Sequence, residues 1–192
     1  MRLTRRGLVL SELKPAPGEL RIVQQLVNTT DRIQGSEVLA SPRALASWLD
    51  EVGLLDPGAD LTPADLERTI AAREALRALL AANNGGPAPD AAAGRLDLLG
   101  HGALLRVRVA ADGATRLEAA GEGLDRALGR LLAIVTTAQG EGTWPRLKAC
   151  AEPACRAAFY DFSPNRAGLW CAMRRCGNRF KAQVYRRRQK RR

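Results

Sequence analysis

Four cysteines, Cys150, Cys155, Cys171 and Cys176, are the residues whose type and spacing carry the clearest chemistry. They fall in a 27-residue window as C-x4-C, a gap of fifteen residues, then C-x4-C. Structural zinc takes four soft ligands at tetrahedral positions, and a short spacer lets one turn present two thiolates to the same ion. A closed shell of four thiolates leaves no place for a reactive water, so the expected Zn²⁺, one per chain, is structural and not catalytic. The same residues could form two disulfides in an oxidising compartment. The basic run Met1–Arg6 is followed only by Gly7-Leu8-Val9-Leu10, too short for a signal-peptide core. No stretch is long and apolar enough to span a bilayer. A cytoplasmic, reducing environment is therefore expected, and there the metal is favoured.

The charge is sharply segregated. From Trp144 to Arg192 there are 14 Lys and Arg against two acids, Glu152 and Asp161, a balance of +12. The preceding 143 residues carry 16 bases and 18 acids, a balance of −2. Four thiolates around one Zn²⁺ return about two of those positive charges. A module so charged seeks a polyanion, and a basic helix anchored by zinc can serve as a groove or phosphate reader. The candidate contacts are Arg174, Arg175, Asn178, Arg179, Lys181, Arg186, Arg187, Arg188 and Lys190. Two roles compete for Asn178: a bidentate contact to adenine, or a local cap that fixes the chain beside Cys176. The cap is favoured. Arg179 divides in the same way between DNA and backbone carbonyls. Phe159, Tyr160, Phe162, Trp170 and Tyr185 could stack on unpaired bases, although a small zinc module needs most of them for its own core.

Other polar residues are weaker candidates. His101, the single histidine, lies between Gly100 and Gly102 and reads as a loop residue. Asn28, Asp31 and Arg73, with Glu74, are candidates to line an effector pocket in the N-terminal part, against the alternative of a buried polar tie between helices. No phosphate loop, catalytic triad or dinucleotide fingerprint occurs, so enzymatic activity is not expected.

The elements that must position these residues follow from periodicity and punctuation. Residues 1–18 end in Lys14-Pro15-Ala16-Pro17-Gly18 and read as a lead-in. Leu20, Val23, Leu26 and Val27 have helical spacing. Ser41-Pro42 and Thr62-Pro63 are cap-and-proline starts for two further helices, the second running to Asn83-Asn84-Gly85-Gly86. A short Ala-rich helix follows near 90–99. Leu104–Val109 and Thr115–Glu118 flank Asp112-Gly113 as a β-hairpin, and Leu124 to Val135 form another amphipathic helix, fading at Gly140-Glu141-Gly142. The expected fold is α+β: a helix-rich domain over 19–140 with a small sheet, then a four-cysteine zinc finger over 144–192. Within the finger, Ala157–Tyr160 is expected to pair with Leu169-Trp170 around Ser163–Gly168. Cys171 and Cys176 would lie about 140° apart on a continuous α-helix. The last helix must therefore start after Cys171, with Cys176 in or just before its first turn, and with Phe180 and Val184 covering the knuckles.

These residues carry a resemblance. Arg146-Leu147-Lys148-Ala149-Cys150, Trp170-Cys171-Ala172-Met173 and Cys176-Gly177-Asn178-Arg179 with Lys181-Ala182 resemble the CGNR zinc finger, named for that tetrapeptide. Leu26-Val27-Asn28-Thr29, Leu39-Ala40-Ser41-Pro42, Trp48-Leu49 and Arg73–Leu80 are similar to the ABATE domain that usually precedes this finger. Together the two cover nearly the whole chain. The resemblance implies a bacterial, stress-induced transcription regulator that binds DNA. RNA binding by the same finger, or a protein-interaction module whose basic tail meets an acidic partner, are the alternatives from other classes.

Overall fold

A computed structural model describes residues 13–87 and 89–189. Most of the lead-in, together with Lys190, lies outside the described residues, as do the side chains of Val184, Arg187 and Arg188. The described elements are helices α1 (Leu20–Val27), α2 (Pro42–Glu51), α3 (Pro63–Ala82), α4 (Asp90–Leu99), α5 (Gly123–Gly140) and α6 (Asn178–Gln189), with strands β1 (Thr30–Asp31), β2 (Ser36–Glu37), β3 (Leu104–Val109), β4 (Thr115–Ala120), β5 (Leu147–Ala149) and β6 (Ala158–Tyr160). The strands make three separate antiparallel pairs, β1 with β2, β3 with β4 and β5 with β6. The architecture is the expected α+β.

Local chemistry accounts for the helix starts. The Ser41 side chain accepts from the Ala44 N–H ahead of α2. Thr62 and Asp65 form a reciprocal capping box on α3, with Pro63 at the first helical position. Gly129 lets α5 approach the β3–β4 hairpin closely, since a Cβ there would stand 3.1 Å from the Cβ of Ala119, a few tenths of an ångström too tight. The hairpin touches α5 at its base and leaves Leu104, Val107 and Val109 exposed.

One apolar core joins Leu20, Val23 and Leu26 of α1, Leu45 and Leu49 of α2, Leu76 and Leu80 of α3, and Leu124, Leu128 and Leu131 of α5. Leu147, Ala149 and Ala158, from the strand pair that follows the expected boundary at Gly140–Gly142, belong to the same core. β5 and β6 thus pack directly on α3 and α1.

The pairing inside the cysteine region differs from expectation. Ala158–Tyr160 pairs with Leu147–Ala149, in the register Leu147 to Tyr160 and Ala149 to Ala158, and not with Leu169-Trp170. The cause is burial: this pairing places Leu147, Ala149 and Ala158 against the helices. The Leu169 carbonyl instead accepts from the Ala151 N–H (2.9 Å) and the Asn84 side-chain amide (3.0 Å).

Candidate metal centre and basic helix

The first knuckle is the tip of the β5–β6 hairpin. Cys150 directly follows β5 and bonds back to the Ala157 carbonyl (2.9 Å), while the Cys155 N–H closes a turn on Glu152 O (2.9 Å). Arg156 then takes a left-handed conformation, φ 53°, that returns the chain to β6. The second knuckle bends at Cys171, continues through an extended Ala172 (φ −150°, ψ 130°) and enters a wide π-helical turn, Met173–Gly177, that carries Cys176 and leads into α6. The final helix therefore starts where the cysteine spacing required. At Gly177 a Cβ would clash with Met173 Sδ and lie 3.3 Å from Trp170 Cδ1. A side chain there would have to displace the Met173 thioether.

All four Sγ atoms lie within 4.8 Å of one another, with Cys155 to Cys171 and Cys171 to Cys176 both at 3.7 Å. Ligands about 2.3 Å from a tetrahedral zinc stand about 3.8 Å apart, whereas a disulfide requires about 2.0 Å. The cysteines are unbridged, and Cys150, Cys155 and Cys176 are buried, with Cys171 partly so. Without a cation, so crowded a group cannot ionise fully. Hydrogen bonds from Cys155, then from Cys171, lower the pKa of Cys150 to about 2. Burial, then the negative charge on Cys150, pushes Cys176 up to about 12. Cys171 is also pushed up, chiefly by its hydrogen bonding to Cys150 and Cys155. A divalent cation relieves this conflict by stabilising every thiolate at once. The donor set and its spacing fit one structural zinc ion.

The chain between the knuckles is fixed by a buried ion pair. Lys148 Nζ meets Asp161 Oδ2 at 2.8 Å, both side chains being buried, and also donates to the carbonyls of Arg166 and Gly168. Asp161 further accepts from the Ser163 N–H (3.0 Å), the Ser163 hydroxyl (2.6 Å) and the Gly168 N–H (2.8 Å). Burial alone would raise the Asp161 pKa, but Lys148 and these other donors hold it well below the usual carboxylate range. A Cβ at Gly168 would come within 2.8 Å of that carboxylate, so this position admits only glycine without rearrangement. Lys148 is one of four lysines in an arginine-dominated chain. An ammonium can direct its donors to three converging oxygens, as a planar guanidinium cannot.

The candidate effector residues are occupied by structure. Asn28 Nδ2 donates to Ala158 O (2.9 Å) and its Oδ1 accepts from Ala158 N–H (2.8 Å), so one side chain extends the edge of β6. Asp31 accepts from the N–H groups of Ile33 and Gln34 and pairs with Arg175 at 3.4 Å. Arg73 is buried and binds Thr29 Oγ1, Glu37 and Glu74. Each of these three side chains is thus hydrogen-bonded to the protein's own chain. Sequence reasoning missed Arg77, which is buried one turn after Arg73 and joins Glu74, the Val27 carbonyl and the Arg156 carbonyl. An Arg-x3-Arg pair on the apolar face of α3 was the available signal. His101 bonds to Asp97 O through Nδ1 at 3.0 Å and is exposed, as a loop histidine should be.

The remaining candidates sit on or beside α6. Arg174, Asn178, Arg179, Lys181 and Arg186 are exposed, and Arg175 is partly buried beside Asp31. Asn178 has helical torsions (φ −69°, ψ −35°), and no side-chain hydrogen bond of Asn178 occurs among the described residues. The favoured cap at Asn178 is therefore not seen, because the preceding π turn already supplies a helical start. Of the aromatic residues, Phe159 is buried, Tyr160 and Trp170 are half-buried, and Phe162, Phe180 and Tyr185 are exposed.

A helical α+β domain fused through a shared core to a four-cysteine finger with a basic helix defines a class of small zinc-finger proteins. The family model for ABATE, described as "Putative stress-induced transcription regulator", matches residues 20–158, and the model for the CGNR zinc finger matches residues 146–189. The chain belongs to the ABATE family and carries a CGNR zinc finger. No curated protein matches it. The two matches overlap over 146–158, the stretch of β5, first knuckle and start of β6 that serves the helical core and the metal site together. Among the described residues, no helix is long and apolar enough to cross a membrane.

Proposed function

We propose that this protein is a cytoplasmic, nucleoid-associated transcription regulator that binds double-stranded DNA through its zinc finger and α6, without enzymatic activity. One observation carries the reading. The balance of +12 lies wholly after residue 143, on a segment whose helix begins two residues after a buried metal ligand. The zinc anchors the base of α6, and the cations follow along the same chain. Arg179, Lys181, Arg186, Arg187, Arg188 and Lys190 serve the phosphates, and Arg174 and Arg175 flank the helix start. Asn178, exposed in the first turn, is in this reading a contact to a base edge.

Fluorescence anisotropy with labelled duplexes at several salt concentrations tests this reading. Replacing Arg186, Arg187 and Arg188 together by Ala is expected to weaken binding to all duplexes by similar factors and to flatten the salt slope by about three units, one per lost phosphate contact. Asn178→Ala is expected to cost about 1–3 kcal/mol on a preferred site and little on random DNA. Absence of duplex binding by the zinc-loaded protein at low salt would overturn the proposal.

A further inference from the structure

Beside the second knuckle lies a cavity of about 450 Å³, bounded by the end of β6 and by the chain from Gly168 to Arg175. That volume is within the range of about 300–1,000 Å³ usual for small-ligand sites. Its walls carry Tyr160, Phe162, Trp170 and Met173, and Lys14 and Arg174 stand at its rim. Phe162 is 53% exposed and Met173 52% exposed, an arrangement that a purely structural aromatic cluster would not favour. Tyr160 supports Phe162 with ring centroids 4.7 Å apart, and Phe180 supports Trp170 at 5.0 Å. The Lys14 ammonium lies 5.9 Å from the Phe162 ring centroid. Arg174 is exposed, whereas the adjacent Arg175 is engaged by Asp31. Among the described residues the one acid in the lining, Asp161, is neutralised by Lys148.

Aromatic rings packed in tilted pairs, 60° between Tyr160 and Phe162 and 36° between Trp170 and Phe180, with Lys14 over one ring and Arg174 exposed beside them, match a planar heteroaromatic ring that carries a phosphate. We propose that this groove binds one unstacked nucleotide, its base against Phe162 and Trp170 and its phosphate on Arg174 and Lys14. The nucleotide belongs to an unpaired nucleic-acid strand or is a free mononucleotide; the recognition chemistry is the same. The inference shares with the proposed function the choice of nucleic acid as partner, but it does not depend on duplex binding by α6.

Trp170 supplies the readout, since Trp48 and Trp144 are both buried in the core. The full-length, zinc-loaded protein is titrated at fixed salt with a single-stranded hexadeoxynucleotide, with adenosine 5′-monophosphate and with inorganic phosphate, while tryptophan fluorescence is followed. Duplex binding is measured on the same preparation by anisotropy. Saturable quenching by the hexanucleotide is expected, weakened about tenfold or more by Phe162→Ala, with zinc content and duplex affinity unchanged. Arg174→Ala is expected to weaken it further and to steepen its dependence on the base. Quenching by the mononucleotide at a similar concentration identifies a free nucleotide as the ligand and equally supports the site. No quenching by either nucleotide, quenching by inorganic phosphate alone, or indifference to Phe162→Ala would each overturn the proposal, whatever the duplex result.

Discussion

At the scale of single residues, two buried charged groups hold the functional region in place. Lys148 and Asp161 neutralise each other beneath the chain that leads to Cys171. Lys148→Met is expected to destabilise the protein by about 3 kcal/mol, because removing one partner leaves the other charge buried. Lys148→Arg is also expected to destabilise, by roughly 1–2 kcal/mol, despite conserving the charge. Thermal denaturation compared with zinc retention checks both, and an arginine variant as stable as wild type would refute the three-acceptor account. Glu74 joins Arg73 to Arg77. Burial opposes its ionisation, but its bonds to Arg77 and Arg73 prevail and lower its pKa from 4.5. A carboxylate with a lowered folded-state pKa contributes stability that is fully present above its unfolded value and is lost as pH falls through the folded value. The difference in melting temperature between wild type and Glu74→Gln should therefore stay constant from about pH 8 to pH 5 and narrow below about pH 4.5. Because Arg77 also bonds the Arg156 carbonyl beside Cys155, zinc content measured at each pH separates this effect from metal loss in acid.

At the scale of elements, side-chain amides clamp the finger to the helices. Gln24 and Asn28 of the first helical segment reach Ala158. Asn83 reaches the carbonyls of Trp144 and Leu147, and Asn84 those of Ala149 and Leu169. Helix α3 thus ends in two asparagines that bond the strand pair, although in the sequence they read only as a helix stop. The consequence is a dependence of the helical part on β5 and β6. A fragment ending at Gly140 loses Leu147, Ala149 and Ala158 from its core. It is expected to melt well below a fragment that extends past Tyr160, a difference that circular dichroism on the two fragments would reveal. Equal melting temperatures would show that the helices form a complete core without the strands.

At the scale of the whole molecule, metal and fold are coupled through the shared hairpin. Cys171→Ser is expected to lose the zinc and unfold the chain beyond Leu169, because zinc supplies most of the folding free energy of so small a module. Cys150 continues a strand that is packed in the main core. Chelation should therefore also lower the melting temperature of the helical part, more than it would for two domains joined by a free linker. Metal analysis and calorimetry with and without chelator test this together. Freshly purified, reduced protein without zinc would refute the metal assignment, and an unchanged helical transition would refute the coupling.

The sequence by itself determined the zinc ligands, the helix starts and the direction of the charge asymmetry, because each depends on local spacing: four cysteines in two short pairs, Ser41-Pro42, Thr62-Pro63, and a run of arginines. The resemblance to ABATE and CGNR proteins was legible for the same reason, in short contiguous motifs. Only the tertiary structure decided the partner of Ala158–Tyr160, since two segments could satisfy its hydrogen bonds and burial against α1 and α3 chose between them. It likewise decided that Asn28, Asp31 and Arg73 bind the protein's own chain, as their partners Ala158, Arg175 and Glu37 are brought near only by folding. The aromatic groove belongs to the same category: its walls come from β6 and from the chain around the second knuckle, and the spacing of Phe162, Trp170 and Met173 along the chain carries no periodic signal that would join them.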